Sequence, residues 1–347
     1  MEKSNSPLIR IIATMLFCSS PLMLFCQESG TCAENLKTAQ SLFEKGQVEL
    51  VPGTLKDCMK SGFKREENLT AYKLLIQSFL FEDNTSKADS TMLTFLKNYP
   101  EYQISPTDHS SFVFLFNSFK VRPVLELTFH FGTSLPFITS VKQVSLSSAP
   151  APDKYSTNFL NIFMSLEAKF PINKKFEVNV EGGYSQLQFT KTEAFMGFGT
   201  IKYIETQQRL EIPVSVSYNI ITIGKFTPYI RAGIGAALDL SSSAKTTFTP
   251  YNGSGIRSGA DVSRNDSRIS TDVFAQAGVG IKFKTPGGFI SLEARSNLGL
   301  FDQTVRGGNS SEILEYPYYY ADDDFKLNDL VISLGYTQIF YKPTKRK

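Results

Sequence analysis

Leu210-Glu211-Ile212-Pro213-Val214-Ser215-Val216-Ser217-Tyr218 is the stretch on which the fold turns. Successive side chains of a β-strand point to opposite faces, so Leu210, Ile212, Val214, Val216 and Tyr218 share one face. Glu211, Pro213, Ser215 and Ser217 share the other. An uninterrupted apolar face opposite a polar one suits a strand with lipid on one side and a polar interior on the other.

The same alternation recurs on both sides of this stretch. Leu160, Ile162, Met164, Leu166, Ala168 and Phe170 oppose Asn161, Ser165, Glu167 and Lys169. Ile230, Ala232, Ile234, Ala236, Leu238 and Leu240 oppose Tyr229, Arg231, Gly233, Gly235 and Asp239, and Leu330, Ile332, Leu334, Tyr336 and Phe340 oppose Ser333, Gly335 and Thr337. In all, eight segments alternate: 123–133, 157–170, 175–189, 206–220, 226–241, 270–284, 288–301 and 327–341. About ten residues is what a tilted strand needs to cross a bilayer. The links alternate between short (171–174, 221–225, 285–287) and long (134–156, 191–205, 242–267, 302–326). A soluble sandwich also alternates, but such long strands and such strict alternation of links fit an eight-stranded antiparallel transmembrane β-barrel. Short turns of such barrels face the periplasm and long loops the outside. An even strand count therefore puts both barrel ends, and whatever flanks them, in the periplasm.

Composition agrees. The 347 residues hold 29 Phe and 15 Tyr but 0 Trp and 2 His, with a net charge of +3. That is too nearly neutral for a nucleic-acid binder and poor in acid–base and metal-ligating groups, so no cofactor or metal is expected. Outer-membrane lipid is the partner that the apolar strand faces imply.

The first residues carry Lys3 and Arg10, then the apolar run Ile11-Ile12-Ala13-Thr14-Met15-Leu16-Phe17-Cys18 and, past Pro21, Leu22-Met23-Leu24-Phe25-Cys26. That pattern predicts a signal peptide over residues 1–26, cut between Cys26 and Gln27. Bulky Phe25 before Cys26 argues against a lipoprotein. Cys32 and Cys58 then remain as an isolated pair in an oxidising compartment, most simply a disulfide.

From Ala33 to Lys120 the apolar period is helical, with breaks at Pro52-Gly53, Ser61-Gly62, Asn84-Thr85 and Tyr99-Pro100. Helices are expected near 33–45, 54–61, 66–82, 85–98 and 107–119. Within the stretch 69–102, Tyr72, Leu75, Ile76, Phe79, Ala88, Met92, Phe95 and Pro100 fall on signature positions, and the stretch resembles a tetratricopeptide repeat. The resemblance implies a small helical protein-interaction domain over 27–120, docking a periplasmic or outer-membrane protein through residues 33–120. A spacer is the alternative. The barrel domain is expected over 121–342 and a basic tail over 343–347.

The motifs Leu210-Glu211-Ile212-Pro213, Pro228-Tyr229-Ile230-Arg231-Ala232-Gly233-Ile234-Gly235 and Leu292-Glu293-Ala294-Arg295-Ser296-Asn297-Leu298-Gly299-Leu300 resemble strands of the PorT-type outer-membrane barrels of Bacteroidota. This resemblance covers about 123–341 and implies the barrel fold. The start of the chain is likewise similar to exported Bacteroidota proteins whose mature chain begins at Gln. The function expected is that of a non-enzymatic outer-membrane protein whose barrel anchors the helical interaction module, as a component of an envelope assembly or secretion complex; the secretion role itself is not carried over from the resemblance.

Positions read as inward carry charges of both signs: Glu126, Glu167, Glu177, Glu181, Glu211 and Glu293 with Lys169, Arg231, Lys282 and Arg295. An eight-stranded barrel is narrow enough for side chains to fill it, so these are expected to pair into a plug. A passive channel is the alternative. An enzyme is the remote one, resting on His130 with Asp266 and Ser267 as imagined partners. The last long loop holds Tyr318, Tyr319 and Tyr320 followed by Asp322, Asp323 and Asp324. Exposed aromatics can be binding hot spots and aspartates can hold Ca²⁺. Rim tyrosines and a solvated acidic run explain the same letters without a ligand.

Overall fold

The structure, a computed structural model, describes residues 29–144, 154–159, 161–253 and 255–346. The expected signal peptide and Leu160 lie outside these residues. The chain divides into two compact units, Met1–Arg122 with Lys342–Lys347, and Pro123–Tyr341.

The first unit is helical. It contains α1 (Ser29–Glu44), a 3₁₀ turn (Val48–Leu50), α2 (Val51–Leu55), α3 (Cys58–Ser61), α4 (Arg65–Phe81), α5 (Thr85–Asn98) and α6 (Ser110–Asn117). The expected helix 54–61 is two short pieces, and Pro52-Gly53 opens the first of them instead of preceding it. Proline is tolerated there because the first-turn N–H groups have no partner within the helix. Asn84 caps α5 by accepting from the Lys87 amide at 3.2 Å. The last helix is shorter than the expected 107–119, because Phe119 already belongs to a strand.

Two apolar clusters hold this unit together. Leu36, Ala39, Val51, Leu55, Ala71, Leu74 and Leu75 form one. Tyr72, Ile76, Ala88, Met92, Phe95, Tyr99 and Phe112 form the other, in which the ring of Phe95 meets those of Tyr72 and Phe112 edge-on at 6.1 and 5.7 Å. Cys32 and Cys58 are disulfide-bonded, with Cα atoms 5.6 Å apart, and tie α1 to α3 across 26 residues. A loop of that length is worth ~3 kcal/mol of closure entropy. Cys58→Ser is therefore expected to lower the helical unit's unfolding midpoint in urea, read by far-UV helical signal, by that order while the barrel's own transition stays put.

Asp108 is the polar hub of the unit. It accepts from Lys73 at 2.6 Å, from the Tyr102 hydroxyl at 2.5 Å and from the Ser105 amide at 2.8 Å. Burial pushes its carboxyl up, but the Lys73, Tyr102 and Ser105 hydrogen bonds together outweigh that and hold it below the ordinary value of 3.8. A depressed carboxylate contributes stability that is complete above its unfolded pKa and is lost as pH falls through its folded one. The helical unit should therefore lose stability on acidification from about pH 4 downward, and Asp108→Asn should flatten that dependence. Equal acid sensitivity in both proteins would exclude Asp108 as the source.

The second unit is built on a closed sheet. Its strands are β1 (Phe119–Lys142), β2 (Lys154–Thr157), β3 (Phe163–Pro171), β4 (Phe176–Phe195), β5 (Gly199–Asn219), β6 (Phe226–Pro250), β7 (Arg257–Ser258), β8 (Val262–Ser263), β9 (Thr271–Thr285), β10 (Gly288–Gly299) and, after the short helix α7 (Glu312–Tyr318), β11 (Asp324–Lys345). Eight of them form a ring in the order β1-β11-β10-β9-β6-β5-β4-β3, with β3 returning to β1. The β1–β3, β3–β4 and β5–β6 ladders are antiparallel, with Glu126↔Lys169, Glu167↔Glu181 and Ser217↔Arg231 as partners. Within the stretch expected as a basic tail, β11 runs to Lys345, Arg346 donates its amide to the Ser118 carbonyl at 2.7 Å, and Lys345 pairs with Asp89.

Strands at the long-loop end run well past their expected ends. The link read as a loop over 191–205 is a hairpin closed by Met196, Gly197 and Phe198, and β6 continues to Pro250. The reason is a reversal of polarity along the barrel. On β5, Leu210, Ile212, Val214 and Val216 face outward and Glu211, Ser215 and Ser217 inward. Above Arg209 the outward residues, Ile204 apart, turn polar (Lys202, Thr206, Gln208), while Ile201 and Tyr203 turn in with Leu187, Phe189, Ala244, Phe248, Phe325 and Leu327. The lower part has lipid outside and charge inside. The upper part has polar residues outside and an apolar core, like a soluble barrel. A one-residue bulge between Gln208 and Arg209 opposite Leu240 shifts the register where the change occurs.

Candidate functional site

Among the described residues, the lumen is where the barrel brings chemistry-bearing side chains of many strands together, and two layers fill it. In the lower layer, Arg231 on β6 pairs with Glu167 on β3, with Glu293 on β10 at 3.0 Å and with Glu181 on β4 at 3.5 Å. Arg295 on β10 grips both oxygens of Glu181 at 2.7 Å and reaches Glu293 at 3.3 Å. Lys169 reaches Glu167 at 3.2 Å, and the Tyr229 hydroxyl donates to Glu293 at 2.5 Å. Three carboxylates face two guanidiniums and one ammonium, so the charges balance. The Arg231–Glu167 pair spans the ring from β6 to β3, and the Arg295 guanidinium lies over the Phe163 ring at 4.7 Å. These contacts occupy the bore at that height.

The remaining expected inward residues lie around this cluster. Glu177 takes two contacts from Lys282 at 2.6 and 2.7 Å, and Glu211 accepts from Ser185 at 2.5 Å. Glu126 is buried on β1 but stands apart from the arginines. His130 is fully buried, with Nε2 at 2.9 Å from Glu167 and Nδ1 at 3.5 Å from the Ser333 hydroxyl. Its partners are thus not Asp266 and Ser267: Asp266 lies in an exposed turn (Asn265–Ser267), while His130 is enclosed in the lower layer. The Glu167 carboxylate beside His130 is also held by Arg231 and Lys169.

The upper layer is the last long loop, folded back into the barrel. Tyr320 stacks on Tyr203 with ring centroids 4.2 Å apart, and Tyr319 stacks on Phe195 at 4.6 Å. Asp322 receives Arg264 at 2.8 Å and Arg268 at 2.6 Å. Arg268 also donates to Glu205, on β5, at 2.8 and 2.5 Å. Asp323 receives Lys191 at 2.9 Å, the Tyr155 hydroxyl at 2.5 Å and the Val144 amide at 2.9 Å. Asp324 accepts from Asn309 at 2.8 Å. Of the candidate binding-loop residues, Tyr320, Asp322 and Asp323 are therefore buried, Tyr318 and Tyr319 pack on the apolar cluster, and the expected exposed rim falls instead on Tyr316. Two arginines and a lysine occupy the carboxylates that the acidic run was read as offering to a cation. Among the described residues no group of three or more His, Cys, Asp and Glu is placed to hold a metal ion.

The alternating pattern does not place Lys191 and Glu205, which fall in the link 191–205, Arg264, which falls in the link 242–267, or Arg268, which lies between that link and the next strand. Period-two spacing of Glu205 and Arg209 with Glu211 was the signal that could have placed Glu205 inside.

A closed ring of eight antiparallel strands with an apolar outer band and a charged bore defines a transmembrane β-barrel of the outer-membrane kind. The chain belongs to the outer membrane protein beta-barrel domain family, which matches residues 116–305, more than half of its 347 residues. No curated protein matches it. Among solved structures it is similar to Neisserial surface protein A (12% identity, 64% of this chain and 99% of that one, TM-score 0.30). It is also similar to OprG from Pseudomonas aeruginosa (13%, 64% and 97%, 0.30) and to the outer membrane protease OmpT from Escherichia coli (10%, 64% and 95%, 0.30). Likenesses this distant distinguish no activity. The family places the protein in the outer membrane.

Proposed function

We propose that this protein is a non-enzymatic outer-membrane anchor. Its filled barrel holds the helical unit in the periplasm, where that unit docks another envelope protein. The observation that carries this reading is the Arg231–Glu167 pair with Arg295 and Glu181 beside it, which fills the bore with mutually paired charges. A bore packed in this way supports an anchor over a passive channel. Orientation follows from the general rule that short turns face the periplasm: the turns Ile172–Lys175 and Ile220–Lys225 lie at the end where β1 begins and β11 finishes. PorT-type membership and a tetratricopeptide-like character of α4 and α5 are part of this proposal, as is a place in an envelope assembly or secretion complex.

The test is chemical crosslinking in native membranes, comparing the full chain with a chain lacking residues 33–120. The partner should vanish with the deletion, and recovering the same partners from both would overturn docking. Planar-bilayer recording of the full chain should give no reproducible conductance; steady unitary currents would return the channel reading.

A further inference from the structure

The three short turns of the barrel carry cations and no acids. Residues 171–176, 219–226 and 284–288 contain Lys174, Lys175, Lys225 and Lys284 without a single Asp or Glu, whereas each of the four long links carries acids. The carboxylate that follows the first turn, Glu177, is turned into the bore and held by Lys282 and Asn219. Lys174, Lys175 and Lys225 are exposed. Lys284 is half-buried, with its ammonium over the Phe289 ring at 4.7 Å.

The first two turns also expose aliphatic side chains. Ile172, Ile221 and Ile223 are each more than half exposed, although turns that face water are built mainly from Gly, Asn, Asp, Ser and Pro. These two turns are neighbours, since Asn219 donates its amide to the Lys175 carbonyl at 2.7 Å. The aromatic edge of the lipid-facing band begins directly beside them, with Phe176 against Tyr218 at 5.0 Å and Phe226 against Phe283 at 5.1 Å. Lys175 reaches over the Tyr218 ring, 5.9 Å from its centroid. Tyr218 shares the outward face of β5 with Val214 and Val216, so that ammonium stands on the lipid side of the wall.

We propose that the rim formed by these two turns binds the phosphates of anionic phospholipids in the leaflet it faces. Charge alone would suit an acidic protein equally well. The isoleucines decide for lipid, because they continue the apolar band past its aromatic edge and are stabilised only where hydrocarbon or an interface covers them. Lysine fits that depth: its stem lies along apolar surface while its ammonium stays at the level of the headgroups. Neither turn holds a carboxylate to neutralise these ammoniums, which leaves their charge to an external anion. The site and its test lie in the barrel, so the proposal is independent of whether the helical unit docks a partner.

The protein contains no Trp, so one introduced residue reports alone. Full-length Ile221→Trp is reconstituted in equal mixtures of phosphatidylcholine and phosphatidylglycerol, with the acyl chains of one lipid or of the other brominated. Ile234→Trp, exposed within the apolar band of β6, is the control. Trp at 221 should be quenched more strongly by the brominated anionic lipid, with a relative affinity of about fivefold, the effect of one engaged lysine. Trp at 234 should show no preference. Replacing Lys174, Lys175 and Lys225 together by Gln should abolish the preference at 221. Equal quenching at 221 by the two lipids, or a preference that survives the triple substitution, overturns the proposal. Absence of quenching by either lipid means that protein covers the turns; it overturns the proposal and leaves the anchor reading standing. Ile172→Trp gives the same readout from the first turn if Ile221→Trp fails to fold, as judged by heat-dependent electrophoretic mobility.

Discussion

Arg231→Met is expected to destabilise the barrel by about 3–5 kcal/mol, the cost of leaving a buried ion pair half dismantled. Arg231 touches Glu167, Glu181 and Glu293, and all three carboxylates are buried in the bore. Without it, Arg295 and Lys169 face three negative charges, and water reaches that level only by disrupting the packing of Phe163 and Tyr229. The measurement is the guanidinium midpoint for loss of the fast-migrating folded form in vesicles. The loss should come from uncompensated charge and not from missing contacts. Arg231→Met combined with Glu167→Gln should therefore recover much of it, because the remaining ions balance again. An unchanged midpoint in the single variant would mean that the lower layer contributes nothing to stability, and the filled-bore anchor would lose its main support. Equal losses in the single and double variants would assign the effect to packing.

How far the sequence carries depends on which physical signal each region obeys. The lower barrel was legible because lipid enforces one rule: Leu210, Ile212 and Val214 must face hydrocarbon, so Glu211, Glu167, Arg231 and Arg295 must face in. Which of them meet was not legible. Arg231 pairs with a carboxylate 64 residues away, on a strand across the ring, and only the stagger of the closed sheet decides that. Above the bilayer the rule inverts, so Lys202 reads as loop although it shares the wet face of one strand with Thr206 and Gln208. The plug was hidden for the same reason. Tyr320, Asp322 and Asp323 look like solvated loop residues until Tyr203, Arg268 and Lys191, drawn from three other segments, are placed around them. In the helical unit, the lone pair of cysteines was decisive without coordinates. The Asp108 hub was not, since it joins a loop residue to Lys73, 35 positions earlier.

Asp322→Ala is expected to free the plug without opening the barrel, and this separates the two layers. Asp322 is the shared seat of Arg264 and Arg268, and its Oδ1 also accepts from the Tyr320 hydroxyl at 3.1 Å. Its removal costs the loop its ties to Arg264 and Arg268 and leaves Arg264 short of a counter-charge, while Arg268 keeps Glu205. A loss of ~3 kcal/mol in local stability corresponds to on the order of a hundredfold more frequent opening of the loop. Added protease should therefore cut within the segment 300–323 far faster than in the parent protein, with the membrane-embedded strands left whole. The Arg231–Arg295 layer is untouched by the substitution and still occupies the bore, so bilayer recordings should stay silent. Protease resistance equal to the parent's would mean that Asp323 with Lys191 and the Tyr320–Tyr203 stack hold the loop by themselves. Currents appearing with Asp322→Ala would mean that the upper layer, not the lower one, is what closes the barrel, and the anchor reading would give way to a gated channel.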